Sequence, residues 1–229
     1  MTFSRQRLHY AERQWNKEMA FFRQYKPLEE HTLYLLLNDP DPLKRKAAAM
    51  HLQLRGLGLS VAQKMCHSTN YKARDLSCFI LGQIVTPESI LPAIMAQLDA
   101  LAASDPTATV RGSAISAMGH RWGKKADFWP MLANRCRLAA TDTSVTVRVS
   151  VAGALCHNTH PDETLLPVLI QLLRDKQGEV RSWAGCAVNG QGYDTPELHA
   201  IFAAMLNDEH AGARDEAKIW QEEHSVKEE

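Results

Sequence analysis

The stretch DKQGEVRSWAGCAV, Asp175 to Val188, sets an aspartate six residues ahead of an arginine, Arg181, and a small residue, Ala184, three further on. The same frame recurs as Asp39 with Arg45, Asp105 with Arg111, Asp142 with Arg148 and Asp208 with Arg214. Arg74 marks one more unit, in which Ser68 stands at the aspartate position, a short polar residue still able to cap a helix. Successive arginines are separated by 29, 37, 37, 33 and 33 residues. A period of that length is the mark of helix pairs stacked into a solenoid.

The residues around each arginine obey helical spacing. Three positions after it come Ala48, Ser77, Ala114, Val151, Ala184 and Ala217; four further on come Leu52, Leu81, Met118, Leu155 and Val188, with Gln221 breaking the series. Both sets share one helical face, the small residue admitting a neighbouring helix and the larger one filling the space beside it. Ahead of each arginine helix lies an apolar run, from HTLYLLL at His31 to ELHAIFAAML at Glu197, which predicts the first helix of each pair. Pro130, Pro167 and Pro196 fall near predicted helix starts, where a missing N–H costs little, and Pro92 is expected at a bend. No run alternates with period two for long enough to predict a strand.

The chain of 229 residues is 45% hydrophobic and 23% charged, an ordinary globular composition. Its zero net charge conceals a gradient: 13 Lys/Arg face 6 Asp/Glu from Met1 to Arg74, whereas 6 face 14 from Pro161 to Glu229. An elongated molecule would carry a basic end and an acidic end, either able to steer a charged partner. The five cysteines, Cys66, Cys78, Cys136, Cys156 and Cys186, are odd in number and sit in helical patterns, as expected of reduced thiols in a cytoplasmic protein. The charged N-terminus gives no secretion signal, and no run approaches the ~20 apolar residues of a membrane span.

From about residue 28 to 222 the arrangement resembles HEAT repeats, whose consensus has an aspartate in the turn and an arginine early in the second helix. The resemblance implies an all-α HEAT-repeat solenoid of about six helix pairs occupying residues 28–229, preceded by an extra capping helix within residues 1–27. Leu8, Trp15, Met19 and Phe22 could supply the buried stripe of that cap. In such repeats the aspartate and arginine tend to link neighbouring units in a hydrogen-bonded ladder. That role is expected here of Asp39, Arg45, Arg74, Asp105, Arg111, Asp142, Arg148, Asp175, Arg181, Asp208 and Arg214, a use suited to a bidentate guanidinium.

If the small residue faces the core, positions one, five, eight and twelve after each arginine face away from it. They are Lys46, Met50 and Gln53; Asp75, Phe79 and Gly82; Gly112, Ser116, Gly119 and Gly123; Val149, Gly153, Cys156 and His160; and Ser182, Cys186, Asn189 and Tyr193. In a solenoid this face is usually the concave binding surface. Its middle is floored by very small residues. A helical glycine costs about 1 kcal/mol relative to alanine, so either space is kept there for a ligand or the second helices need small residues to sit together. Trp122, Trp183 and Trp220 lie at or beside the same face, and exposed tryptophans commonly anchor interfaces.

Motifs of catalysis are missing. CHNTH, Cys156 to His160, has metal-binding residue types but no second cluster to complete a tetrahedron. GLGLS at Gly56 lacks the strand and lysine of a phosphate loop, and no nucleophile elbow or paired-acid signature occurs. No enzyme activity, cofactor, metal or small-molecule substrate is therefore expected.

Three strings carry a narrower resemblance: LQLRG at Leu52, NYKARDLSCFILGQI at Asn70 and VRSWAGCAVNGQGYD at Val180. They resemble the bacterial HEAT-repeat immunity proteins encoded beside Rhs polymorphic toxins. What this implies is a cytoplasmic protein that binds and neutralises the C-terminal domain of a cognate toxin. Asp75, Phe79, Gln83, Trp183, Asn189, Tyr193 and Asp194 are the candidate contacts. A basic nuclease domain would suit the acidic third of the chain. The runner-up is a HEAT-like DNA-binding protein or DNA glycosylase using Asp75, Trp122 and Trp183, which should carry basic charge along its whole groove. This chain is basic only toward its N-terminal end, so no nucleic-acid partner is expected. A third possibility is a generic scaffold resembling HEAT-type bilin lyases.

Overall fold

The computed structural model describes residues 16–83, 87–122, 127–158 and 161–225, without the side chains of Trp122 and Ser225. Leu8, Trp15, Gly123 and His160, named above, lie outside the described residues. Helix α1 covers residues 16–25. Six pairs follow: α2 (Glu30–Leu36) with α3 (Pro42–Leu54), α4 (Gly58–Met65) with α5 (Tyr71–Gln83), and α6 (Leu91–Ser104) with α7 (Ala108–Trp122). The remaining three are α8 (Trp129–Ala139) with α9 (Val145–Leu155), α10 (Leu166–Leu173) with α11 (Gly178–Gln191), and α12 (Pro196–Met205) with α13 (Ala211–Ser225). No strand occurs among the described residues. The chain divides into two compact units between Ala117 and Met118, inside α7.

Helix boundaries follow local chemistry. Prolines open α3, α6, α8, α10 and α12 in the first two positions, where no intrahelical N–H bond is lost. Pro92 belongs to this set: it starts α6 after a 3-10 turn at Glu88–Ile90, and the bend expected there is a helix start. Helix α3 stops at Gly56, whose φ of 78° lets the Leu57 N–H return to the Leu52 carbonyl at 2.9 Å. Gly192, φ 71°, ends α11 in the same left-handed conformation.

The repeated aspartate acts on its own turn before it acts on a neighbour. Its Oδ1 accepts the N–H two residues on: Asp41 to Asp39, Thr107 to Asp105, Ser144 to Asp142, Gln177 to Asp175 and His210 to Asp208. Its carbonyl accepts from the arginine six residues on, as Arg148 Nη1 does with Asp142 at 2.8 Å and Arg181 Nη1 with Asp175 at 2.7 Å. Ser68 substitutes in both respects, its Oγ accepting from Asn70 and its carbonyl from Arg74. The six-residue spacing is thus the length of chain that returns the second helix's guanidinium to the turn.

Within each unit the frame also ties repeat to repeat. Arg74 donates from Nε and Nη2 to Asp105 at 2.6 and 3.1 Å, Arg148 to Asp175 at 2.6 and 3.1 Å, and Arg181 to Asp208 at 2.6 and 2.5 Å. Arg45 has Ser68 in place of an aspartate at the next turn and, among the described residues, bonds the carbonyls of Asp39 and Pro40. The core under these bonds is the predicted one. Ala48, Ser77, Ala114, Val151, Ala184 and Ala217 are buried, and so are Leu52, Leu81, Met118, Leu155 and Val188. Each of the larger ones is worth about 1.5–3 kcal/mol of burial. In α1 the stripe differs from expectation: Tyr25 is its buried residue, whereas Met19 and Phe22 are half-buried and Phe22 stacks on His51 at 4.3 Å.

Candidate partner-binding surface

The second helices, α3, α5, α7, α9, α11 and α13, carry the candidate surface, and its outline differs from the helical-wheel expectation by one position. Residues eight after the arginine were placed on the free face, yet Gly82, Gly119 and Cys156 are buried. The reason is contact between consecutive second helices. A Cβ on Gly82 would lie 2.9 Å from the Cβ of Ala117, and one on Gly119 only 2.5 Å from Ala154. Position eight of one helix therefore packs against position six of the next, and the small residues there serve close approach. Gly112, Ser182 and Cys186 are buried as well, so most of the expected open floor is helix packing. Gly153 is the exception: a Cβ there would meet only Trp183, at 3.9 Å.

On α3 and α5 the free face runs instead through positions one, five and nine, an i, i+4, i+8 stripe. In the unit ending at Ala117 it comprises Lys46, Met50 and Leu54 on α3, and Asp75, Phe79 and Gln83 on α5. Leu54, 74% exposed, was missed by the sequence reading, as were His120 at the same position of α7 and His157 in the turn just after α9. Counting nine rather than eight residues from the arginine would have found them. Lys46 Nζ stands 5.1 Å from the centre of the Phe79 ring, within cation–π range, and the Ser113 hydroxyl donates to Asp75 Oδ1 at 2.6 Å. Asp75 and Phe79 are thus presented half-buried and held from one side, while Gln83 is exposed.

The other four candidates belong to the unit that starts at Met118. Trp183 is half-buried on α11 beside Gly153. Asn189 donates from Nδ2 to the carbonyl and to Oε2 of Glu216, both at 3.1 Å, while its Oδ1 is buried without a hydrogen-bond partner. Asp194 is exposed and accepts from His199 Nε2 at 2.7 Å. Tyr193 is corrected. It is 2% exposed, its hydroxyl donates to the Asp162 carbonyl and accepts the Asp162 N–H, each at 2.8 Å, and burial raises its pKa. Its role is to hold the α9–α10 connection rather than to meet a partner. Trp220 is also interior, stacked between Phe202 and His224.

All five cysteines are buried and none forms a disulfide, and burial pushes the Cys136 thiol up to about 12, far from a thiolate at neutral pH. Among the described residues no three His, Cys, Asp or Glu side chains converge as a metal site. The strongly held carboxylates are the ladder ones: burial pushes Asp105, Asp175 and Asp208 up, and the guanidiniums of Arg74, Arg148 and Arg181 with the turn amides more than offset it. None of the described helices is long and apolar enough to cross a membrane.

Six helix pairs, with aspartate–arginine bonds joining the second to the third, the fourth to the fifth and the fifth to the sixth, define an all-α helical-repeat solenoid. The chain belongs to the family of Protein YibA of Escherichia coli. It is 35% identical over 212 residues to YibA of strain K12, spanning 92% of this chain and 75% of that protein, with the same values for YibA of Escherichia coli O157:H7. The X-ray structure of Escherichia coli YibA matches with a TM-score of 0.79 at 35% identity, covering 88% of this chain and 72% of that one. A designed armadillo repeat protein in complex with the peptide (KR)4 shares the fold at a TM-score of 0.59 and 15% identity, over 85% of this chain and 99% of its own. No protein-family model matches.

Proposed function

We propose that this chain is a protein-binding solenoid and, more narrowly, a cytoplasmic immunity protein that neutralises the C-terminal domain of a cognate Rhs-type toxin. The observation that carries the reading is the stripe on α3 and α5, where Asp75 and Phe79 remain partly accessible and Gln83 is exposed. An amphipathic row of an aromatic, an acid and an amide on rigid helices suits recognition of a folded surface. Membership of the YibA family and the three matching strings support the immunity reading, and a designed repeat protein of the same fold binds a peptide. The seven candidate residues reduce to six contacts: Asp75, Phe79, Gln83, Trp183, Asn189 and Asp194. Neutralisation needs no chemistry from this chain, since covering a toxin's active site or its substrate path suffices.

The test is co-expression with the C-terminal domain of the cognate Rhs-type toxin. Rescue of growth together with co-purification of the pair is the expected result. Growth arrest despite soluble, folded solenoid would overturn the proposal.

A further inference from the structure

We propose a metal site on the last helix pair, formed by His199 of α12 and His224 of α13 and suited to a borderline divalent ion of the zinc class. This goes beyond the protein-binding role and does not depend on it.

Each imidazole already has one nitrogen committed. Asp194, which can only accept, binds Nε2 of His199 at 2.7 Å, so that nitrogen carries the proton and Nδ1 keeps its lone pair. The Trp220 carbonyl binds Nδ1 of His224 at 2.8 Å, which leaves Nε2 of that ring with its lone pair. One carboxylate and one backbone carbonyl behind two imidazoles is the outer-sphere arrangement that fixes tautomer and orientation in metal-binding histidines.

The spacing agrees. Two imidazoles on one ion, with metal–nitrogen bonds of about 2.0–2.1 Å and near-tetrahedral angles, have ring centres about 5 Å apart. The centres of His199 and His224 are 5.4 Å apart with planes at 89°, and rotation about a metal–nitrogen bond leaves that angle free. His224 is pinned by stacking on Trp220 at 3.8 Å, and Trp220 in turn lies on Phe202 at 4.4 Å. Both histidines line a cavity of about 410 Å³ whose walls include Phe202, Leu206 and Ala217. A water occupies ~30 Å³, so the solvent ligands completing the sphere are accommodated. Two donors from the chain make an exchangeable site rather than a structural one.

Titration of the metal-free protein with zinc chloride, followed by calorimetry, tests this. One saturable site per chain is expected, weakened at least tenfold by His199→Ala and by His224→Ala, and unchanged by His31→Ala at an exposed position of α2. Asp194→Asn should weaken it by about 10–100-fold without removing a ligand, as loss of an outer-sphere partner does. His199 is half exposed, so its substitution leaves the fold intact and keeps the test valid should His224→Ala unfold. As a second readout, copper(II) should quench Trp220 emission in the native protein and not in His224→Ala. Absence of a saturable site, or zinc affinity unaltered in His199→Ala, would overturn the proposal.

Discussion

Arg148 and Asp175, 27 residues apart, are joined by two parallel hydrogen bonds, Nε at 2.6 Å and Nη2 at 3.1 Å, with side chains only 9% and 10% exposed. The same guanidinium reaches the Asp142 and Thr143 carbonyls through Nη1. One arginine thus closes the turn of its own repeat and grips the next. A lysine could not do both, because an ammonium lacks the planar fork.

Arg148→Ala is therefore expected to cost about 3 kcal/mol, the usual loss when one member of a buried pair is removed, and Arg148→Lys nearly as much. Urea denaturation at neutral pH measures both. Arg45→Ala, which breaks bonds to carbonyls of its own turn, should cost less, about 1 kcal/mol. Equal losses at the two positions would show that the cross-repeat bonds add nothing.

Acid should loosen the same joints. The carboxyls of Asp105, Asp175 and Asp208 are held below their usual value in the folded chain, so their stabilisation is complete above the unfolded value of about 4. It disappears as pH falls through the lower folded values. The thermal midpoint is expected to decline below pH 4 and to keep declining beyond the range in which free aspartates titrate. Asp175→Asn should flatten part of that slope while lowering stability at pH 7.

The ladder and the core were legible in the sequence because both repeat: a periodic aspartate, arginine and alanine average out what any one unit obscures. Pro92 was misread because its helix lacks a polar cap and starts from a 3-10 turn. The binding face was displaced by one position for a different reason. A helical wheel knows the core direction but not the side on which the next second helix packs, and that contact removes Gly82, Gly119 and Cys156 from the surface. Tyr193 was out of reach altogether, since its partner Asp162 is 31 residues away in a loop.

The two kinds of glycine make a test of sign. Gly119→Ala improves helix propensity by about 1 kcal/mol, but the new Cβ falls 2.5 Å from the Cα of Ala154, where backbone must move. A net destabilisation of about 1–3 kcal/mol is expected, as for other overpacked contacts. Gly153→Ala gains the propensity and places its methyl 3.9 Å from Trp183, so it should stabilise by up to ~1 kcal/mol. Thermal unfolding of the two variants distinguishes packing from kept space: if Gly119→Ala is the stabilising one, the close approach of α7 and α9 is wrong.

A last pair of substitutions separates recognition from support. Phe79→Ala removes a half-buried ring of the stripe that stands 5.1 Å from the Lys46 ammonium, so it should cost about 1 kcal/mol of stability, well short of a core truncation. If the stripe meets a partner, the same change should weaken the complex by about 1–2 kcal/mol, a five- to thirtyfold rise in Kd. Tyr193→Phe should touch stability alone. Its buried hydroxyl serves both the N–H and the carbonyl of Asp162, and losing it should cost about 1–2 kcal/mol of stability while leaving affinity unchanged. Measuring both variants by urea denaturation and by binding to the purified toxin domain decides the matter. Tighter dependence of affinity on Tyr193 than on Phe79 would mean that the partner reads the α11–α12 connection and not the stripe.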